Sequence, residues 1–508
     1  MSESQSITRY PHIINGEKRE PGSGKYIPVF NPATNELIAE AAQGTPEDLD
    51  IAVHAAREAF NCKAWCNMPA TERSRLLYAI ANTVMANAQE LAQLEVSASG
   101  GTISRVMGMD IPALADMFMV LAEEVKRFPF VDNLPARPLP EPTHTQVWRE
   151  PVGVCALITA WNVPLLLFAL KVAPALATGN TVVIKPSELT PTSTLRLVEL
   201  LCELLPKGVL NVVNGRGEVI GDAMCRHPDI DKISFTGSTR VGKQVQQVAA
   251  QSLKRVSVEL GGKGPGIVLP DADLELVAYG ALYGVYLNGG QACESGTRLL
   301  VHDSIHDELV AKLAALSTQI VLGDPASPAT GMGPMSSAAH GEKVLEYVNS
   351  AVEEGATVLC GGARAEVPGC EGGYFVEPTV LTEVHNGMKV AREEIFGPVL
   401  CVIKFSTEEE AIAIANDTDY GLSAGIWTAD VVGAQQLARQ LQAGSIWIND
   451  WHMIRMDAPF GGFKQSGYGR EGGMESLHHY VEVKSVSTAF ERNVRKKPLH
   501  RLVHKLLA

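Results

Sequence analysis

The chain has 508 residues, beyond the roughly 250 to 300 at which one hydrophobic core stops growing, so at least two packed domains are expected. A hydrophobic fraction of 46% and a charged fraction of 20% exclude a disordered, fibrous or low-complexity protein. The formal net charge of -14 argues against nucleic acid as a general partner, since phosphate binding draws on clustered Lys and Arg, and leaves small neutral or anionic ligands.

The N-terminal MSESQSITRYPHIING holds no apolar stretch and no cleavage-site pattern, so no signal or transit peptide is expected. Apolar residues then recur at helical spacing over 48–60 and 70–99, predicting a mostly helical first third. Thr45 and Thr71, each shortly before a Glu, are candidate helix starts. Beyond Glu124, RFPFVDNLPARPLPEPTHTQVWREP is rich in proline and then polar and β-branched, predicting an extended arm that leaves the compact body. The uncharged run 152–170 has the length of a membrane span, but Trp161, Asn162 and Pro164 interrupt its centre; it reads as strand, loop and helix, and no membrane partner is expected.

From 153 onward, VCALITA, TVVIKPS, VLNVVNG and KISFTGS alternate with helical patterns. That is the rhythm of parallel β-α-β units, whose ligand crevice lies beyond the C-terminal strand ends. A second series, from GPGIVLP through TRLLVHD, GATVLCG, VLCVIKF and LSAGIWT to GSIWIND, begins near Gly262 and predicts a second α/β domain. No repeat of 20 to 50 residues is visible. The tail ERNVRKKPLHRLVHKLLA is basic with a Leu and Val stripe, which suits a solvated extension or a helix packed on the same chain. Nine cysteines, scattered from Cys62 to Cys401 without a Cys-x-x-Cys pair, make no disulfide framework and fit a reducing cytoplasm.

Cys293 lies in NGGQACESGTR, where flanking glycines allow a tight bend that brings a thiol to a ligand. By itself it is equally a small buried hydrophobe. Three segments in order carry more: TAWNVPLL, VELGGKGPGIV and GGQACESGTR. Together they resemble the aldehyde dehydrogenase superfamily, and the resemblance extends over almost the whole chain.

The resemblance implies Cys293 as nucleophile, forming a thiohemiacetal and then a thioester, and Asn162 as donor to the oxyanion. Glu259 takes the part of the base that activates the hydrolytic water. The cofactor implied is NAD, with NADP disfavoured by the charge of Glu188; Lys185 and Glu188 would hold the adenosine ribose. In FTGSTRVG, Gly237 would permit the tight turn and Ser238 would meet the pyrophosphate at a helix start that also includes Gly242. Glu394 and Phe396 of EEIFGPV would lie at the nicotinamide ribose and ring, with Trp161 among the cofactor contacts. No metal ion is called for.

The implied architecture is α/β, with two Rossmann-like domains and a small β oligomerisation arm. Residues 1–127 and 147–260 would form the dinucleotide-binding domain and 261–465 the catalytic domain. Segments 128–146 and 478–492 would form the arm of a homodimer or homotetramer, and 493–508 a basic tail. Val163, Leu167 and Leu170, with Trp451, Ile454 and Phe460, predict an apolar pocket for a medium-sized apolar or aromatic aldehyde. Arg455 suits either a substrate carboxylate or a neighbour such as Asp450 or Asp457. Glu294 would disfavour anionic substrates or raise the thiol pKa. Rival readings are a coenzyme-A-acylating aldehyde dehydrogenase, which needs no Glu259; a cysteine hydrolase, which needs a His motif; and a catalytically silent binding protein.

Overall fold

The structure is a computed structural model that describes residues 7–137 and 142–507. The first six residues, the arm segment 138–141 and Ala508 at the end of the tail lie outside the described residues.

Among the described residues, two large sheets of eight and seven strands organise the chain. In the first, parallel strands run in the order Arg255–Glu259, Lys232–Thr236, Val154–Ile158, Thr181–Lys185 and Leu210–Val212. VCALI and TVVIK are buried at every position, as expected of parallel strands covered on both faces. The uncharged run resolves into the strand Val154–Ile158 and the helix Pro164–Ala177. Gly467–Tyr468 returns from the second half of the chain to pair antiparallel with Val258 and Glu259.

The second sheet runs Thr357–Cys360, Thr379–Thr382, Val399–Phe405, Arg298–His302, Pro265–Val268, Ser423–Trp427 and Ser445–Ile448, parallel except at its first strand. The arm is a three-stranded antiparallel sheet in which Thr143–Pro151 pairs along its full length with Val481–Ala489 and, on its other side, with Val131–Asn133.

The first third departs from expectation in two ways. Short strands from Thr8–Tyr10 to Leu37–Ala42 precede the helices; most are too short to leave a signal, and Tyr26–Phe30, although buried alternately, is apolar at every position and so shows no alternation in sequence. Thr45 does cap the helix Pro46–Asn61, but Asp48 rather than a Glu closes its capping box. Thr71 caps nothing, because the next helix, Ala70–Ala86, has already begun after Pro69. In the tail helix Pro498–Leu507, Leu499, Leu502, Leu506 and Leu507 are exposed, which favours the solvated extension over the packed helix.

Candidate active site

Loops from consecutive strands of the first sheet meet at its C-terminal edge. Trp161 and Asn162 follow Val154–Ile158, Glu188 follows Thr181–Lys185, Gly237 and Ser238 follow Lys232–Thr236, and Gly261 follows Arg255–Glu259. There a cavity of about 480 Å³ is bounded by Asn162, Gly237, Ser238, Cys293, Glu394 and Phe396 among others. The remainder of its wall is chiefly apolar, with Val163, Leu167, Leu170, Ile454 and Phe460.

Cys293 reaches this cavity because the chain reverses after the helix Leu274–Tyr286. Asn288, Gly289 and Gly290 all take left-handed backbone, with φ of 55, 63 and 71°. A Cβ on Gly290 would come within 2.1 Å of the Gly397 carbonyl oxygen. Gln291 pins the turn by donating to the Asn288 and Pro334 carbonyls and accepting from Ser336 N–H. Asn162 is buried and its Nδ2 donates to the Gln291 carbonyl at 3.0 Å, which fixes the amide beside the thiol loop. An amide nitrogen carries two N–H groups, so a second donor remains.

Electrostatics single out the carboxyls. Burial, then the charge of Glu294, pushes the Cys293 thiol well above its ordinary value. Glu259 ends its strand and is buried, but its carboxyl does not line the cavity: Oε1 is turned beneath Gly461, where a Cβ would come within 2.7 Å of it, and Oε2 has no hydrogen-bond partner. Burial, then the charge of Glu471, raises Glu259 well above the carboxylate range. Burial likewise lifts Glu394 to about 7, although it accepts a hydrogen bond from Gly262 N–H at 3.1 Å.

Phe396 has left-handed backbone (φ 58°), held by a hydrogen bond from His340 Nε2 to its carbonyl at 2.7 Å. Its ring meets Trp161 edge-on at 5.4 Å. Lys185 is fully buried, donating to the Pro186 carbonyl and pairing with Glu188 at 3.3 Å. Burial works to raise Glu188, but the Lys185 charge together with hydrogen bonds from its own and the Gly217 backbone N–H and from Lys185 holds the carboxyl below its ordinary value.

The sequence profile of the aldehyde dehydrogenase family matches residues 19–486. The chain belongs to the aldehyde dehydrogenase family. It is 41% identical over 475 residues to betaine aldehyde dehydrogenase of Bacillus subtilis, covering 93% of this chain and 96% of that one. To phenylacetaldehyde dehydrogenase of Pseudomonas fluorescens it is 41% identical over 488 residues, covering 95% and 97%. A crystal structure of betaine aldehyde dehydrogenase from Staphylococcus aureus in complex with NAD+ superposes with a TM-score of 0.92 at 39% identity, covering 94% of each chain.

In this aldehyde dehydrogenase several expected site residues sit elsewhere than the motifs implied. Gly237 has no left-handed backbone; glycine is needed because a Cβ would lie 2.5 Å from the Phe235 ring. Gly242 is buried inside the helix Thr239–Ala249 and lets it close on Leu260, where a Cβ would come within 2.3 Å. Ser238 does line the cavity, yet its hydroxyl caps that helix, accepting from Val241 N–H at 3.4 Å. Trp451 does not line the pocket: it is buried in the core beside the second sheet, stacked on Trp427 at 5.7 Å. Arg455 is exposed outside the cavity and pairs with Asp457 at 2.6 Å, the neighbour reading rather than the substrate one.

Sequence reasoning missed Arg105 and Asp110, which line the cavity as a buried ion pair at 3.0 Å. The π turn Val106–Asp110 brings these residues, five apart, into register. A buried acid and base around Met-Gly-Met was the available signal. His340 and Lys343 also line the cavity, from the helix Ala338–Glu353, and no motif marked them. No described helix is long and apolar enough to cross a membrane.

Proposed function

We propose that this aldehyde dehydrogenase oxidises a medium-sized apolar or aromatic aldehyde to its carboxylic acid with NAD, through a thioester on Cys293. The reading rests on one observation: the Cys293 thiol and the Asn162 loop share a mainly apolar cavity with Gly237, Ser238, Glu394 and Phe396. The Pseudomonas relative's name, phenylacetaldehyde dehydrogenase, agrees with the aromatic end of that substrate range.

The residues present fit a dinucleotide. A helix N-terminus opens beside the cavity at Ser238 and suits a pyrophosphate. Thr236 Oγ1 is a buried polar atom there without a hydrogen-bond partner. Glu188, ionised by Lys185, suits a ribose hydroxyl and repels a 2′-phosphate. Lys185, Glu188, Ser238, Glu394 and Phe396 would hold NAD, which when bound accepts the hydride.

The Cys293 sulfur adds to the aldehyde carbon, and the new oxyanion accepts from the Asn162 amide and the Cys293 backbone N–H, each donor lowering the barrier by about 3 kcal/mol. Glu259 serves the second half. Its raised pKa suits a base working near neutral pH, and its side chain turns from beneath Gly461 toward the thioester to take a proton from water.

We assign the first sheet to cofactor binding and the second domain to the nucleophile, with the arm of Thr143–Pro151 and Val481–Ala489 as the contact of a homodimer or homotetramer. The free cysteines suit a cytoplasmic enzyme.

The test is NADH formation with aliphatic, aromatic and carboxylated aldehydes, with and without coenzyme A. Cys293→Ser is expected to abolish it, and Glu259→Gln to keep a rapid first burst while slowing steady turnover. Full turnover by Cys293→Ser, or product released only with coenzyme A, overturns the reading.

A further inference from the structure

The residue after the nucleophile is tied into the site through both its backbone and its side chain. The Glu294 carbonyl accepts from Ser423 Oγ and from Trp451 Nε1, both at 2.9 Å, so its backbone is held from the strand Ser423–Trp427 and from the loop that follows Ser445–Ile448. Its side chain, 11% exposed, lies against the cavity beside Cys293. Cys293 Sγ–H donates to Glu294 Oε2 at 3.3 Å. On the far side, His452 Nδ1 lies 3.0 Å from Glu294 Oε1, and His452 too is buried against the cavity. His452 takes left-handed backbone, φ 56°, to reach this position.

We propose that Glu294 is the base that takes the proton from Cys293 during attack on the aldehyde, and that His452 is a positioning residue that holds its carboxylate. The inference deepens the function proposed above and rests on Cys293 being the nucleophile. In the step, the S–H bond breaks as an O–H bond forms on Glu294 Oε2. The sulfur lone pair makes the S–C bond, and the carbonyl π pair moves to oxygen. Nothing is oxidised or reduced.

Three carboxyls act on this thiol, Glu294, Glu394 and Glu259. Of the three, Glu294 is the one hydrogen-bonded to the sulfur: Glu394 is engaged by Gly262 N–H, and Glu259 does not line the cavity. The three also differ in protonation. Burial pushes all of them up, but the His452 hydrogen bond and charge bring Glu294 below its ordinary value, whereas Glu259 and Glu394 stay raised. The carboxyl in contact with the thiol is therefore the one held toward its ionised, proton-accepting form.

A neighbouring anion that only raised the thiol pKa would have the opposite effect on reactivity, and this separates the two roles. The experiment follows iodoacetamide alkylation of Cys293 at neutral pH without cofactor, and the NADH burst with aldehyde. Glu294→Gln is expected to slow alkylation about tenfold and the burst about 10²-fold, the low end of general-base effects. Glu294→Asp recovers part of each rate, His452→Asn falls between the parent and His452→Leu because its amide replaces the Nδ1 donor but not the charge, and His452→Leu falls toward Glu294→Gln.

Alkylation in Glu294→Gln as fast as in the parent, or faster, overturns the proposal. So does a His452→Asn enzyme as slow as His452→Leu, which would leave His452 a packing role only. If Glu294→Gln does not fold, Glu294→Asp and the His452 pair decide between the same outcomes. NADH formation by Cys293→Ser sinks the thioester function itself; a dead Cys293→Ser beside a normal Glu294→Gln burst sinks this inference alone.

Discussion

Gly262 lies directly against the backbone of Cys293: a Cβ at position 262 would stand 2.1 Å from the Cys293 carbonyl oxygen and 3.3 Å from its carbonyl carbon. The glycine that follows the base segment is thus what allows the nucleophile loop to dock onto the first sheet's edge. Its N–H also donates to Glu394, so one residue joins three parts of the site.

Gly262→Ala has backbone as its obstacle, which does not yield as a flexible side chain does. Overpacking of this kind costs about 1–3 kcal/mol. Displacing the sulfur by an ångström costs on the order of 10²-fold in rate. The variant is expected to melt earlier and to show a slower NADH burst, measured by thermal unfolding and stopped-flow absorbance. A variant with parental melting and burst would show that the loop can shift freely.

Glu394 makes the unliganded protein's stability depend on pH. Its folded pKa of about 7 stands above the ordinary carboxylate value of 4.5, raised by burial against the pull of Gly262 N–H and of Lys263 and Lys343. Between those values the folded chain keeps a proton that the unfolded chain has lost. The contribution is full below the unfolded value and is lost as pH rises through about 7. Glu394→Gln removes this loss, so its melting temperature should match the parent at about pH 4.5 and exceed it at about pH 8. Parallel melting curves across that range would contradict the burial-raised carboxyl.

Lys171 and Glu471 form a buried pair at 2.5 Å, and Lys171 also donates to Ser234. Lys171→Met strands a buried carboxylate, a change that costs about 3–5 kcal/mol. Denaturant unfolding is expected to show that loss, with most of it recovered in Lys171→Met/Glu471→Leu. Equal stability of the single and double variants would deny the pair its role.

The parallel sheets were legible because strands such as VCALI and TVVIK are buried at every position and so read as unbroken apolar runs. Cys293, Asn162 and Glu259 stood out because their segments carry short fixed motifs; the structure puts the first two at the cavity and the Glu259 carboxyl off it. What escaped is set by local turns and long-range contacts that no short motif marks. Nothing around Trp451 says that it stacks on Trp427, and only the π turn makes Arg105 and Asp110 partners. The hydrogen bond from His452 to Glu294 spans 158 positions, so neither residue advertises the other.

The same Lys171–Glu471 pair tunes the proposed hydrolytic base. After burial, the charge of Glu471 is the largest influence raising Glu259, while Lys171 and Arg470 pull it down. In Glu471→Gln the negative neighbour is gone and Lys171, still bonded to Ser234, remains, so Glu259 ionises at lower pH. With Glu259 as the proposed base in thioester hydrolysis, the acid limb of steady turnover is expected to move to lower pH. The burst does not use Glu259 and should keep its own pH profile. Steady-state and burst rates measured from about pH 5 to 9 check both halves of the expectation. An acid limb that stays in place, or a burst profile that moves with it, would detach Glu471 from the hydrolytic step and leave it as a structural partner of Lys171.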